Sequence, residues 1–179
     1  REKEEVERVV EDVRRRLDES LERNHKSVRD ALREVDRTVE ENSRSVEKVR
    51  KRLKEVERED KELEDLVRKI KEDLDRLNEE SRRLSEDSKR RLKDLNRKSA
   101  KITRDSKEEL RRIVEAVRRG DVEVREVKKE LEKIVRDNER VVEDSNDKIR
   151  RIVTKNTEDV KRSDETLERI VEEIERRAR

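Results

Sequence analysis

Residues 17–35 read LDESLERNHKSVRDALREV, and residues 35–53 read VDRTVEENSRSVEKVRKRL. Laid over one another, Leu17, Ser20, Leu21, Asn24, Ser27, Val28 and Ala31 become Val35, Thr38, Val39, Asn42, Ser45, Val46 and Val49, each eighteen residues on. Within each copy the steps are of one or three residues, which keeps these side chains on one face of an α-helix. Working outward, the same stripe starts at Val6, Val10 and Val13 and ends at Leu53 and Val56. The intervening positions are mostly Glu, Lys and Arg, which favour helix. Helix is therefore the reading, although a chain with 59% charged residues has the composition of a disordered one.

Two more stretches carry the same period. Leu74, Leu77, Asn78, Ser81, Leu84, Ser85 and Ser88 recur as Leu92, Leu95, Asn96, Ser99, Ile102, Thr103 and Ser106. Ile134, Val135, Asn138, Val142, Ser145 and Ile149 recur as Ile152, Val153, Asn156, Val160, Ser163 and Leu167. Eighteen residues make five turns at about 3.6 residues per turn, so the stripe drifts to neither hand and nearly untwisted helices are expected.

Gly120, the only glycine, marks one turn. It suits the left-handed position past a helix end, with Asp121 as the next N-cap. Glu59-Asp60 lies between Val56 and Leu63 as Gly120-Asp121 lies between Val117 and Val124, which places the other turn there with Asp60 as N-cap. Three helices follow, about 1–58, 61–118 and 122–178, each about 85 Å long. The expected architecture is all-α, an antiparallel up-down-up three-helix bundle forming a single elongated domain over 1–179. One unbroken helix over 1–119 is the alternative, but it leaves half the stripe uncovered.

Register follows from the same pattern. A shift of 121 carries Val10 to Leu131, Val28 to Ile149 and Val46 to Leu167, and it carries Asn24 to Ser145 and Asn42 to Ser163. Folding about Glu59-Asp60 sets Asn24 near Asn96 and Asn42 near Asn78. Asn138 and Asn156 fall near Thr103 and Ser85. Polar core layers built from these ten residues are expected to fix helix register, because an unpaired buried amide costs about 1–3 kcal/mol.

Composition removes most chemistry. There is no Cys, Met, Pro or aromatic residue, one His, and a net charge of +2. Thiol chemistry, disulfides and base-stacking platforms are excluded. Glu22 and His25 have the Glu-x-x-His spacing of di-metal bundles, but both are expected on the solvent side, without a second copy. Arg119-Gly120-Asp121 matches an adhesion tripeptide, yet turn chemistry explains it. Arg14-Arg15-Arg16 is flanked by acids, so no nucleic-acid face is expected. No stretch is apolar enough for a membrane span or a targeting signal. No enzyme activity, metal or cofactor is expected, and the chain is expected to be soluble, in keeping with recombinant cytoplasmic expression.

Equal idealised helices, the eighteen-residue repeat, Asn/Ser core positions and the mixed-charge surface resemble de novo designed helical bundles with buried hydrogen-bond networks. That group includes monomeric bundles, designed heterodimers and caged latch switches. The resemblance implies a structural scaffold that needs no partner. It also implies the alternative of one half of a heterodimer or switch that accepts another helix, motivated by the wide Ile134-Val135 stripe. Spectrin-type repeats have shorter helices and core aromatics, which this chain lacks.

Overall fold

The computed structural model describes residues 2–178. Its elements are α1 (Glu2–Glu59), a 3-10 turn (Lys61–Leu63), α2 (Glu64–Arg119) and α3 (Val124–Ala178). Among the described residues there is no strand, so the chain is an all-α three-helix bundle. Contacts divide it into two compact units, each with a segment of every helix: Arg1–Asp30 with Leu92–Arg150, and Ala31–Arg91 with Arg151–Arg179.

In the first unit, Val6, Val10, Val13 and Leu17 of α1 pack with Leu110, Ile113 and Val117 of α2 and Val127, Leu131 and Ile134 of α3. In the second, Val46, Val49, Leu53 and Val56 pack with Val67, Ile70, Leu74, Leu167, Ile170 and Ile174. The repeat is visible in burial. Leu74, Leu92 and Leu110, eighteen residues apart, are all fully buried. Within each unit α1 and α3 run parallel: Glu5 pairs with Lys128 and Asn24 meets Ser145 in one, and Asn42 meets Ser163 and Arg52 pairs with Glu175 in the other. The second helix runs against them. Glu7 pairs with Arg118 and Asp18 with Lys107 in one unit, and Asp36 with Lys89 and Arg50 with Asp75 in the other. Leu21 and Val142 lie at the edge of the stripe and are half-buried.

Both turns depart in detail from the sequence expectation. Asp60 is an N-cap with extended backbone (φ −142°, ψ 104°), and its carboxylate accepts from the Glu62 N–H at 3.0 Å. It caps the 3-10 turn, however, and α2 begins only at Glu64. At the other turn Gly120 has φ 78°. Its N–H donates to Val117 O and that of Asp121 to Ala116 O, both at 3.1 Å, the paired bonds of a Schellman motif. Asp121 is thereby part of the preceding cap and not the N-cap expected of it. The first helical bonds of α3 go instead to the carbonyl of Glu123, from Glu126 and Val127. Val122 precedes that cap and packs on the cluster containing Val127, a hydrophobic staple that moves the start of α3 from 122 to Val124.

A Cβ on Gly120 would meet nothing within 4 Å, so only the left-handed backbone penalises a side chain there. Gly120→Ala is expected to cost about 1–2 kcal/mol and Gly120→Asn less, because Asn tolerates that region. Urea melts of the two variants check this order.

Candidate functional site

Polar residues on the buried face are the chain's distinctive chemistry. Asn24, Asn42, Ser85, Thr103, Asn138, Ser145, Asn156 and Ser163 are all buried, Asn24 at 0% and Asn42 at 1% exposure. Ser20, Ser81 and Ser99 join them. Asn78 and Asn96 are only half-buried. Each lies on a helix whose neighbouring stripe positions are aliphatic, which is why its side chain is drawn inward.

In the first unit Asn24 Nδ2 donates to Ser145 Oγ at 2.7 Å. In the second, Asn42 Nδ2 donates to Ser163 Oγ at 3.1 Å and to Asp164 Oδ1 at 3.0 Å. Also in the second, Asn156 Nδ2 faces Ser85 Oγ at 3.3 Å and Ser88 Oγ at 3.4 Å. Asn138 and Thr103 are buried in the first unit.

The second helix brings Ser85 to Asn156 and Asn78 beside Ser43, near the expected partners, but without the amide-to-amide bonds. No hydrogen bond joins Asn24 to Asn96 or Asn42 to Asn78 among the described residues. Asn78 Oδ1 instead accepts from Ser43 Oγ at 3.5 Å, a long contact. The core residues nearest the first turn are Val56 and Val67, which are equidistant from a point between Lys61 and Glu62. Val6 and Val117, the outermost members of the first unit's cluster on α1 and α2, share the same midpoint. Counted about that point, Asn42 corresponds to Ser81 and Asn24 to Ser99, each one turn along α2 from the expected asparagine, and both serines are buried.

Other features carry less. Glu22 is exposed, whereas His25 is half-buried and not fully on the solvent side. Among the described residues no group of three or more His, Cys, Asp or Glu is placed to hold a metal, and no helix is long and apolar enough to cross a membrane. Arg119, Gly120 and Asp121 are exposed. Open grooves of about 470 and 600 Å³ run between α1 and α3, one in each unit; Val9 and Val135 line the first, and Val49 and Val171 the second. Comparison with protein-family profiles, characterised proteins and solved structures finds no match.

Ion pairs cover the surface. Glu5–Lys128 and Glu57–Lys71 are examples, at 3.4 and 3.1 Å with side chains about half exposed. Such pairs contribute about 0–1 kcal/mol each and are screened by salt. The Lys89 ammonium is raised above the ordinary lysine pKa, chiefly by its hydrogen bond to Asp36. A raised lysine stabilises fully below its unfolded pKa and loses that contribution only as pH climbs through the raised value, so this pair adds no pH dependence near neutrality. Helicity followed by circular dichroism is accordingly expected to stay nearly constant from low salt to molar NaCl. A melt induced by salt would show that charge, and not the aliphatic stripe, holds the helices.

Proposed function

We propose that the chain is a de novo designed structural scaffold: a monomeric three-helix bundle without catalytic or ligand chemistry, in which buried Asn and Ser layers select helix register. The observation that carries this reading is the pair of bonds from Asn24 to Ser145 and from Asn42 to Ser163. Both hold the same helix-to-helix offset, and they lie one eighteen-residue repeat apart. A slip of α3 by one turn would strand these amides against aliphatic neighbours at about 1–3 kcal/mol apiece. Polar levels repeated at the same offset thus penalise packings shifted by one or a few turns.

The second reading, a module that takes an additional helix, has the α1–α3 grooves in its favour. Their valines are half-buried or buried, however, and no large hydrophobic side chain is exposed among the described residues, which supports the scaffold. Sedimentation equilibrium with multi-angle light scattering across a hundredfold concentration range tests the choice. The scaffold gives a constant mass near 21.8 kDa. A mass that climbs with concentration favours the binding module.

A further inference from the structure

The second turn carries chemistry that the register role of the layers does not use. All but one of the Lys and Arg among the described residues lie inside α1, α2 or α3. Lys61 in the 3-10 turn is the exception, and Arg119 is the last residue of α2. A protease draws its substrate into the active site as an extended segment, so a basic residue within a helix is protected until that helix opens. Opening a helix in its middle breaks consecutive backbone bonds and withdraws buried aliphatic side chains, whereas helix ends open at far lower cost.

Around Arg119 little holds the chain closed. Arg118, Arg119, Gly120 and Asp121 are all exposed, and nothing lies within 4 Å of a Cβ placed on Gly120. Two backbone bonds tie the turn back, from the Gly120 and Asp121 N–H groups to Val117 O and Ala116 O. The Arg119 side chain is 69% exposed, and its ion-pair partner Glu115 is 3.8 Å away, too far for a hydrogen bond. Arg118 is more engaged. Its Nε donates to Glu7 at 3.0 Å, and its carbonyl accepts from Lys3 Nζ at 3.3 Å. The bond that follows Arg119 is therefore the more accessible of the two.

The first turn lacks these features. Lys61 stands between Asp60 and Glu62, with Glu59 and Glu64 beyond them. A trypsin-like protease selects Arg or Lys through a carboxylate in its S1 pocket, and acids beside the basic residue oppose that contact. Three bonds also pin this turn: Asp60 N–H to Val56 O, Leu63 N–H to Asp60 O, and Glu62 N–H to the Asp60 carboxylate. Around Arg119 the only acid within two residues is Asp121.

We propose that the Arg119–Gly120 peptide bond is a processing site for a serine protease of trypsin-like specificity, and that the cut chain stays assembled. Hydrolysis adds one water across the bond, leaving the Arg119 carboxylate on one piece and the Gly120 ammonium on the other. The ammonium forms beside the Ala116 and Val117 carbonyls at the end of α2, where a cation is favoured, which offsets the new carboxylate there. The anchors of α3 are untouched. Val127, Leu131 and Ile134 remain in the first unit's cluster, and Leu167, Ile170 and Ile174 in the second's. The single-chain bundle thereby becomes a helical hairpin plus a separate third helix, and its assembly becomes dependent on concentration.

Limited digestion of the full chain with a trace of trypsin, followed by intact-mass spectrometry and native size exclusion, tests both parts. The first products are expected to be 1–119 and 120–179, eluting together at the position of the uncut chain. Arg118→Gln combined with Arg119→Gln is expected to slow the loss of intact chain about tenfold, because cleavage then waits on a rarer opening. Circular dichroism of that variant is expected to stay helical. Lys61→Gln is expected to leave the rate unchanged. First cuts inside a helix or at Lys61, or fragments that elute apart, overturn the proposal. Should the double variant fail to fold, a comparable slowing in Lys61→Gln overturns it instead.

Discussion

Leu110→Ala is expected to lower the unfolding free energy by about 2–5 kcal/mol, as a fully buried leucine truncated in a tight cluster does elsewhere. Leu110 is 0% exposed and sits among Val13, Ile113, Val117, Leu131 and Ile134. Most of its neighbours are β-branched and stiff at χ1, so they cannot swing inward to close the gap. Leu74, at the equivalent position of the second unit's cluster, is expected to behave alike. Lys101, exposed on the same helix, serves as the control, and its replacement by Ala should fall within about 0.5 kcal/mol. Urea denaturation of the three variants measures the contrast. Equal effects of Leu110→Ala and Lys101→Ala would mean that helix propensity and surface charge, and not the aliphatic clusters, hold the bundle.

The positions that matter for this result were legible in the sequence, because one side chain per turn on each helix has only one face to occupy. With no aromatic, Pro or Cys to distort the pattern, spacing alone identifies Leu74 and Leu92 as stripe positions, and one further repeat reaches Leu110. The parallel register of α1 and α3 was legible for the same reason. Both helices carry the repeat, and one offset aligns their aliphatic and polar residues together. The second helix was less legible. Its register depends on how many residues the connection consumes, and the charged residues Asp60 to Glu62 give no local sign of a 3-10 turn. The staple at Val122 and Val127 was likewise hidden, since Asp121 is as good a cap by composition as Glu123 is by geometry.

In the first unit the layer around Asn24 gives the sharpest test of register selection. Asn24→Ala is expected to destabilise by about 1–3 kcal/mol, since it opens a small cavity and removes the donor from Ser145 Oγ. For a chain of this size that corresponds to a fall in Tm of several degrees, at about 2–4 °C per kcal/mol. Replacing the whole layer, with Asn24→Leu, Ser99→Ala and Ser145→Ala together, is expected to do the opposite and to hold or raise Tm. The Asn24 Oδ1 atom is buried without a protein partner, so the amide carries a desolvation cost that a hydrocarbon layer avoids. The stabilised variant should be less specific. If the equivalent changes are also made at Asn42, Ser81 and Ser163, little remains to penalise a slip of one turn, because each helix then presents an aliphatic residue to its neighbours at nearly every turn. Sedimentation velocity should then resolve dimers or exchanged helices that the parent chain lacks. Thermal melts and sedimentation on the single, one-layer and two-layer variants separate the possibilities. A two-layer variant that remains a uniform monomer, together with a one-layer variant as unstable as Asn24→Ala, would assign these residues no part in choosing the register.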